Sequence, residues 1–303
     1  MGRVTRNHPV LRLGPQGVQR RGDVIAVEEP LEIRVNGEAL MVTMRTPGDD
    51  IDLVHGLLHS EGVIRDAADI SLARYCAGAD VEGLNTYNVL DISLAEDVPP
   101  PAAAAHRLVE TTSACGICGA TSIDQVLHRS RYSMPANLQI PAALIRSAPL
   151  LLREQQRTFA KTGGLHAAGL LGLDGGMHCV REDVGRHNAV DKVVGWAIRQ
   201  GRLPLAETIL VVSGRASYEL TQKAVLAGIP VLAAVSAPSS LAVDLARDAG
   251  LTLLGFVRGD SMNVYTNPER ILPDEPRPGS PGATIQHDAE RRGIARPASG
   301  RAK

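Results

Sequence analysis

Three short apolar runs separated by two amphipathic segments constrain the second half of this chain to one architecture. Residues 209–212, 231–235 and 252–257 read as buried strands, and residues 217–227 and 239–249 read as helices. Gly228 and Gly250 stand just past those helices, where left-handed C-terminal caps are expected. Strand-helix-strand repetition predicts a parallel sheet with right-handed crossovers. A helix over 142–155, strands over 165–173 and 177–180 joined at Asp174-Gly175-Gly176, and a helix over 186–200 precede it.

The first half reads as β-rich. Residues 24–27, 31–35 and 40–44 alternate or cluster apolar side chains, with the hairpin signal Asn36-Gly37 between the last two. A helix starts near Asp49, which can cap it, buries Leu53, Val54, Leu57 and Leu58, and ends before Gly62. Further strands are expected over 72–76, 86–92 and 107–112, with Pro99-Pro100-Pro101 as an exposed connection. At 303 residues two domains are expected. Residues 1–22 read as a flexible arm, 23–130 as the β-rich domain, 131–273 as the α/β domain and 274–303 as a disordered tail. The fold class is therefore α/β, or α+β overall.

A net charge of −1 excludes a broad nucleic-acid or anionic-membrane footprint. No apolar run approaches the ~20 residues of a membrane span, and the N-terminus lacks a secretory pattern, so a soluble cytoplasmic protein is expected. In that compartment Cys115-Gly116-Ile117-Cys118, half of the chain's four cysteines, is catalytic or metal-binding rather than a structural disulfide. Thr121 or Ser122 would cap a helix over 122–128 just after it, and that helix's N-terminus favours a thiolate or persulfide. Zinc would need further ligands such as Cys179 and His166, and a second Cys-x-x-Cys is missing. Zinc deaminase chemistry is rejected: His166-Ala167-Ala168 lacks the glutamate that acts as general acid and base. A thioredoxin-like oxidoreductase would place the pair after the first strand of a βαβ unit, not after a β-rich half. A mobile carrier that holds sulfur as a persulfide remains.

Ligands of open parallel sheets sit beyond the C-terminal strand ends. Here those ends carry Ser213-Gly214-Arg215, Ser236-Ala237-Pro238-Ser239 and Arg258-Gly259-Asp260-Ser261. Two run into helix N-termini, and Arg215 and Arg258 add forked donors, together describing a nucleotide or pyrophosphate site. In 180–188, another polar strand-to-helix turn, His187 is four residues from Asp191 and could pair with it on one helix face.

These segments, with Pro47, Ser60-Glu61-Gly62-Val63-Ile64, 111–119, Thr162-Gly163-Gly164-Leu165-His166, 181–192, Ser213 to Glu219, Gly255 to Gly259 and Asn263-Val264-Tyr265, occur in an order that resembles the formate dehydrogenase accessory sulfurtransferases, the FdhD family. The resemblance covers 24–272. It implies a second domain like cytidine deaminase, a three-layer α/β/α unit without the zinc chemistry, in a homodimer. It also implies sulfur taken from a cysteine desulfurase as a persulfide and passed to the bis-molybdopterin guanine dinucleotide molybdenum cofactor of formate dehydrogenase. Carried over by position, Cys115 holds the persulfide, Cys118 is a second thiol that assists or resolves it, and Phe256, Val257, Arg258, Gly259, Asp260 and Ser261 bind the cofactor. Two other classes stay open: a cofactor-binding chaperone that uses its cysteines incidentally, and a disulfide oxidoreductase that needs no nucleotide.

Overall fold

The computed structural model describes residues 3–76, 87–101 and 119–274. In chain order these form β1 (Thr5–Gly14), β2 (Gly17–Ala26), β3 (Glu29–Val35), β4 (Glu38–Arg45), α1 (Asp50–Ser60), β5 (Ile70–Tyr75), β6 (Val89–Leu94), α2 (Gly119–Arg129), β7 (Ile140–Pro141) and α3 (Ala142–Gln155). They continue as α4 (Phe159–Thr162), β8 (His166–Gly172), β9 (Met177–Asp183), α5 (Arg186–Arg199), β10 (Thr208–Val212), α6 (Tyr218–Leu226), β11 (Val231–Ala234), α7 (Ser240–Asp248), β12 (Thr252–Arg258), β13 (Ser261–Val264) and β14 (Ile271–Leu272).

The central sheet has the order β13-β12-β11-β10-β8-β9. β10, β11 and β12 run parallel, whereas β8 is antiparallel to both β10 and β9, and β13 folds back on β12. Successive strand residues feed opposite cores. Leu210, Val212, Leu232, Ala234 and Leu253 pack with α5, α6 and α7 on one face. Ile209, Val211, Val231, Ala233 and Leu254 meet Ile145, Ala148 and Leu152 of α3 on the other. Helices on both faces make three layers and account for strands that read as continuous apolar runs. Gly228 and Gly250, both at φ 69°, take the left-handed conformation expected at those helix ends.

A smaller sheet, β4-β3-β6-β5, buries Leu31, Ile33, Leu90 and Ile92 under Leu53, Val54 and Leu58 of α1. Its β3–β4 turn uses Asn36 at φ 52° and Gly37 at φ 85°, the paired left-handed geometry of a tight hairpin.

Four expectations change. Residues 5–26 are not a loose arm but an antiparallel hairpin, β1–β2. Both its faces are largely exposed, so burial imposes no alternation for the sequence to display. Asp49 stands at the cap of α1 but in the left-handed region (φ 54°) without a capping bond. Its carboxylate instead lies 3.4 Å from Arg181 Nε. α2 begins at Gly119, so Thr121 and Ser122 lie within it rather than at its cap. Ile123 and Val126 of α2 belong to the core beneath α5–α7, so the boundary read at 130 follows a helix already packed with the second unit. The strand expected over 107–112 and the tail after Asp274 lie outside the described residues.

The two units meet where α1 crosses α5. A Cβ at Gly56 would collide with the Asp191 carbonyl, and one at Gly195 with the Asp52 carbonyl, so both helices approach to backbone contact. Around this crossing the charges are buried and paired. Lys192 Nζ lies 2.7 Å from Asp183 Oδ2 and donates to the Thr46 carbonyl at 2.9 Å. Asp183 also accepts from the Thr46 and Gly185 N–H groups and from Asn188. Lys223 donates to Asp191 and Ser60, while Arg181 and Arg199 share Asp52. Such pairs add little net stability over an apolar core, but removing one partner strands a buried charge.

Candidate functional site

The parallel run of β10, β11 and β12 brings their C-terminal ends side by side, and hydrogen bonds lock the turns together. Ser236 N–H donates to the Gly214 carbonyl at 3.3 Å, and Phe256 N–H donates to the Ser236 carbonyl at 3.2 Å. Ala216 N–H reaches the Ala237 carbonyl, and Ser239 N–H returns to the Ala216 carbonyl. Antiparallel β8 delivers its first residue, His166, to the same edge, where Ser213 N–H bonds the Ala167 carbonyl and Ser213 Oγ accepts from Ala167 N–H at 2.9 Å. Gly255 permits the close stacking: a Cβ there would sit 2.9 Å from Pro238 and 3.1 Å from the Ser236 carbonyl.

The third turn differs from the other two. After Phe256, at φ 53°, the strand bulges, and Arg258 pairs with Ser261 across a hairpin turn into β13 instead of entering a helix. Val257 is fully buried in the core over α3, so it can offer a ligand only its backbone. Arg258, Gly259, Asp260 and Ser261 are exposed, and the Arg258 guanidinium lies 6.0 Å from the centre of the Phe256 ring. Arg215 is exposed one turn away.

The two helix N-termini are not equivalent. Ser239 caps α7 by accepting from Ala242 N–H at 3.3 Å. Ser217 occupies the same place on α6 without a side-chain cap bond, which leaves the N–H groups of that terminus without a hydroxyl cap, and Glu219 stands in its first turn.

Five side chains from β8, α5 and the start of α6 flank this end, and strand-end reasoning did not join them into one group. His187 Nε2 lies 2.6 Å from Glu219 Oε2 and 3.4 Å from Ser217 Oγ. The hydrogen bond from His187 holds the Glu219 carboxyl below its ordinary range. Burial, then the charges of Arg186 and His187, push the His166 imidazole down, favouring its neutral form. Arg186 Nε is buried without a hydrogen-bond partner among the described residues. The pairing expected between His187 and Asp191 is not made: Asp191 turns to Lys223, 2.7 Å away, while His187 turns to α6. Helical spacing put the two on one face but could not show the acceptors offered by the neighbouring helix. The signal was present in the polar density of 180–188 and in Glu219 itself.

Cys115 and Cys118 lie outside the described residues. Cys179, weighed as a zinc ligand, is buried in the core, and burial pushes its thiol up to about 12. Among the described residues no three His, Cys, Asp or Glu side chains gather to hold a metal ion. No helix among them is long and apolar enough to cross a membrane. A hollow of about 490 Å³ beside Leu173, His178 and Glu207 opens at the far end of the sheet from the three turns.

A model of the FdhD/NarQ family matches residues 26–272, spanning both units and the three strand-end turns. The chain belongs to this family. A protein of Nocardia farcinica named sulfur carrier protein FdhD is 58% identical over 271 residues, covering 89% of this chain and 96% of that one. One of the same name from Mycobacterium tuberculosis is 54% identical over 276 residues, covering 89% of this chain and all of its own length. Among solved structures, a protein of Desulfotalea psychrophila described as a formate dehydrogenase accessory protein superposes with a TM-score of 0.68 at 26% identity, covering 89% of this chain and 100% of that chain. Placed on the FdhD/NarQ chain, the segments that carried the resemblance divide by task. Pro47, Ser60 and 181–192 build the crossing of α1 and α5, while Ser213 to Glu219 and Gly255 to Gly259 build the crevice.

Proposed function

We propose that the protein is a sulfur carrier that loads Cys115 from a cysteine desulfurase and delivers the sulfur to the bis-molybdopterin guanine dinucleotide molybdenum cofactor destined for formate dehydrogenase. What supports this reading is the conjunction, in one FdhD/NarQ chain, of Cys115-Gly116-Ile117-Cys118 with adjoining strand-end turns that carry exposed Arg215 and Arg258. The names of the relatives from Nocardia and Mycobacterium support it. In the crevice, the α6 N-terminus, Arg215 and Arg258 supply donors for the phosphates of a guanine dinucleotide, and the bulged segment 256–261 supplies backbone and side-chain contacts. The same reading has the protein working as a cytoplasmic homodimer.

In the loading step the Cys115 thiolate attacks the outer sulfur of the desulfurase persulfide. The S–S bond breaks, its electron pair leaves on the desulfurase cysteine, and Cys115 becomes the persulfide. In delivery the Cys118 thiolate attacks Cys115 Sγ, and the outer sulfur departs with the bonding pair as sulfide for the molybdenum. The resulting Cys115–Cys118 disulfide is returned to two thiols by an external thiol reductant.

Peptide mass spectrometry after incubation with a cysteine desulfurase and cysteine tests the reading. Sulfur added to the Cys115 peptide, removed by reductant and absent in Cys115→Ala, is the expected result. No added sulfur, with guanosine diphosphate still bound, would replace the carrier by a cofactor-binding chaperone.

A further inference from the structure

A second electropositive hollow lies away from the crevice. Helices that follow parallel strands run back toward the strand N-termini, so the end of α6 is at the opposite side of the sheet from the three turns. There, beside Leu226, a cavity of about 210 Å³ is lined by His59, Gly62, His128, Arg129, Arg131 and Tyr132. The polar side chains arrive from three directions: the His59 imidazole from the end of α1, His128 and the Arg129 guanidinium from the last turn of α2, and the Arg131 guanidinium from the segment after α2. Among the described residues no carboxylate lines the cavity.

Its floor is a buried polar group in want of a partner. His59 is 9% exposed, and its Nδ1 has no hydrogen-bond partner among the described residues. Burial first, then the charges of Arg131, Lys223 and Arg129, push its imidazole down to about 4, so it stands neutral. Arg129 is anchored by donating to the Ser60 carbonyl at 2.7 Å, with its guanidinium laid across Gly62 at φ 75°, where a Cβ would obstruct it. Arg131 is exposed and makes no ion pair among the described residues. Two guanidinium groups thus stand beside a neutral imidazole, and an anion in the cavity would offset their like charges.

We propose that this hollow binds a phosphate group, as a second anion site independent of the strand-end crevice and of the sulfur-transfer reading. Donors converging from three directions suit a tetrahedral oxyanion better than a planar carboxylate. Arg129 and Arg131 supply forked N–H groups, and the His59 ring supplies a donor from below. A bound dianion would offset the Arg131, Lys223 and Arg129 charges that add to burial in keeping His59 neutral, so binding near pH 6 should draw a proton onto the ring. α2 gives the site a connection to the chemistry in the sequence: its first residue, Gly119, follows Cys118, and its last turn supplies His128 and Arg129.

The test uses the full chain with inorganic phosphate and phenyl phosphate as separate probes, followed by calorimetry in two buffers of different ionisation enthalpy and by NMR of the histidine rings. The expected result is saturable binding that shifts the His59 ring signals with proton uptake near pH 6. Uptake should be lost in His59→Gln, and affinity should fall about tenfold in the surface variant Arg131→Gln. Tighter binding of phenyl phosphate would mark an esterified ligand, and tighter binding of phosphate a free one. The proposal is overturned if neither probe moves His59, if Arg131→Gln binds as the parent does, or if Arg215→Gln abolishes binding, which would assign the phosphate to the crevice.

Discussion

The crossing of α1 and α5 and the crevice at the strand ends are both rich in charge, yet they treat it in opposite ways. At the crossing Lys192, Asp183, Asp191 and Lys223 are buried and each finds a partner. At the crevice Arg215, Arg258 and Asp260 stand exposed, and the α6 terminus is left without a side-chain cap. Charge withdrawn from water and fully paired fixes one geometry; charge left in water at the end of a rigid sheet is available to a ligand. Both regions belong to the segments by which the family is recognised, so a family motif alone does not mark a binding residue.

Substitutions can break that contrast. Asp183→Ala should have the largest effect, because it leaves Lys192 buried and uncompensated and removes an acceptor from the Thr46 and Gly185 N–H groups. A loss of about 5 kcal/mol in chemical denaturation is expected. Gly195→Ala should follow at about 3 kcal/mol, since the new methyl group meets the Asp52 backbone rather than a side chain able to move. A third test uses pH. His59 titrates near 6.5 when unfolded and about 4 when folded, so between those values the unfolded chain binds the extra proton. Stability should therefore fall as pH drops through that window, by up to about 3 kcal/mol at pH 4, and His59→Gln should flatten this part of the profile. The smallest stability change belongs to the crevice. Arg215→Ala should stay within about 0.5 kcal/mol of the parent while guanosine diphosphate affinity drops about tenfold. A loss of stability there comparable to Asp183→Ala would erase the distinction between the two regions.

Much of the second unit was legible because its residues speak locally. The helix read over 142–155 is α3 (Ala142–Gln155), and Gly228 and Gly250 take the backbone conformations their chemistry favours, as Asn36-Gly37 do in the first unit. That the three strand-end turns would lie side by side was legible for the same reason, since strand ends follow from strand order. The crossing was not: Asp183 bonds a backbone group 137 residues away and Lys192 one 146 residues away, and no local pattern announces such pairs. Hairpin β1–β2 was missed because neither face is buried, and Asp49 was misread because a distant arginine outcompetes its own helix for the carboxylate. The His59 hollow escaped notice because its residues come from elements that are separate in sequence and carry no shared motif.

The close approach at Gly56 and Gly195 also orders the events of biosynthesis. α1 leaves the ribosome long before α5, so its glycine-notched side has no seat until residues 186–199 have been made. Contacts between such distant segments are slow to form, and the uncovered face is a liability while the nascent chain waits. A nascent chain arrested between 60 and 186 should thus be a client for chaperones at the α1 face, and that face should be released from them once residues 186–199 have emerged and covered it.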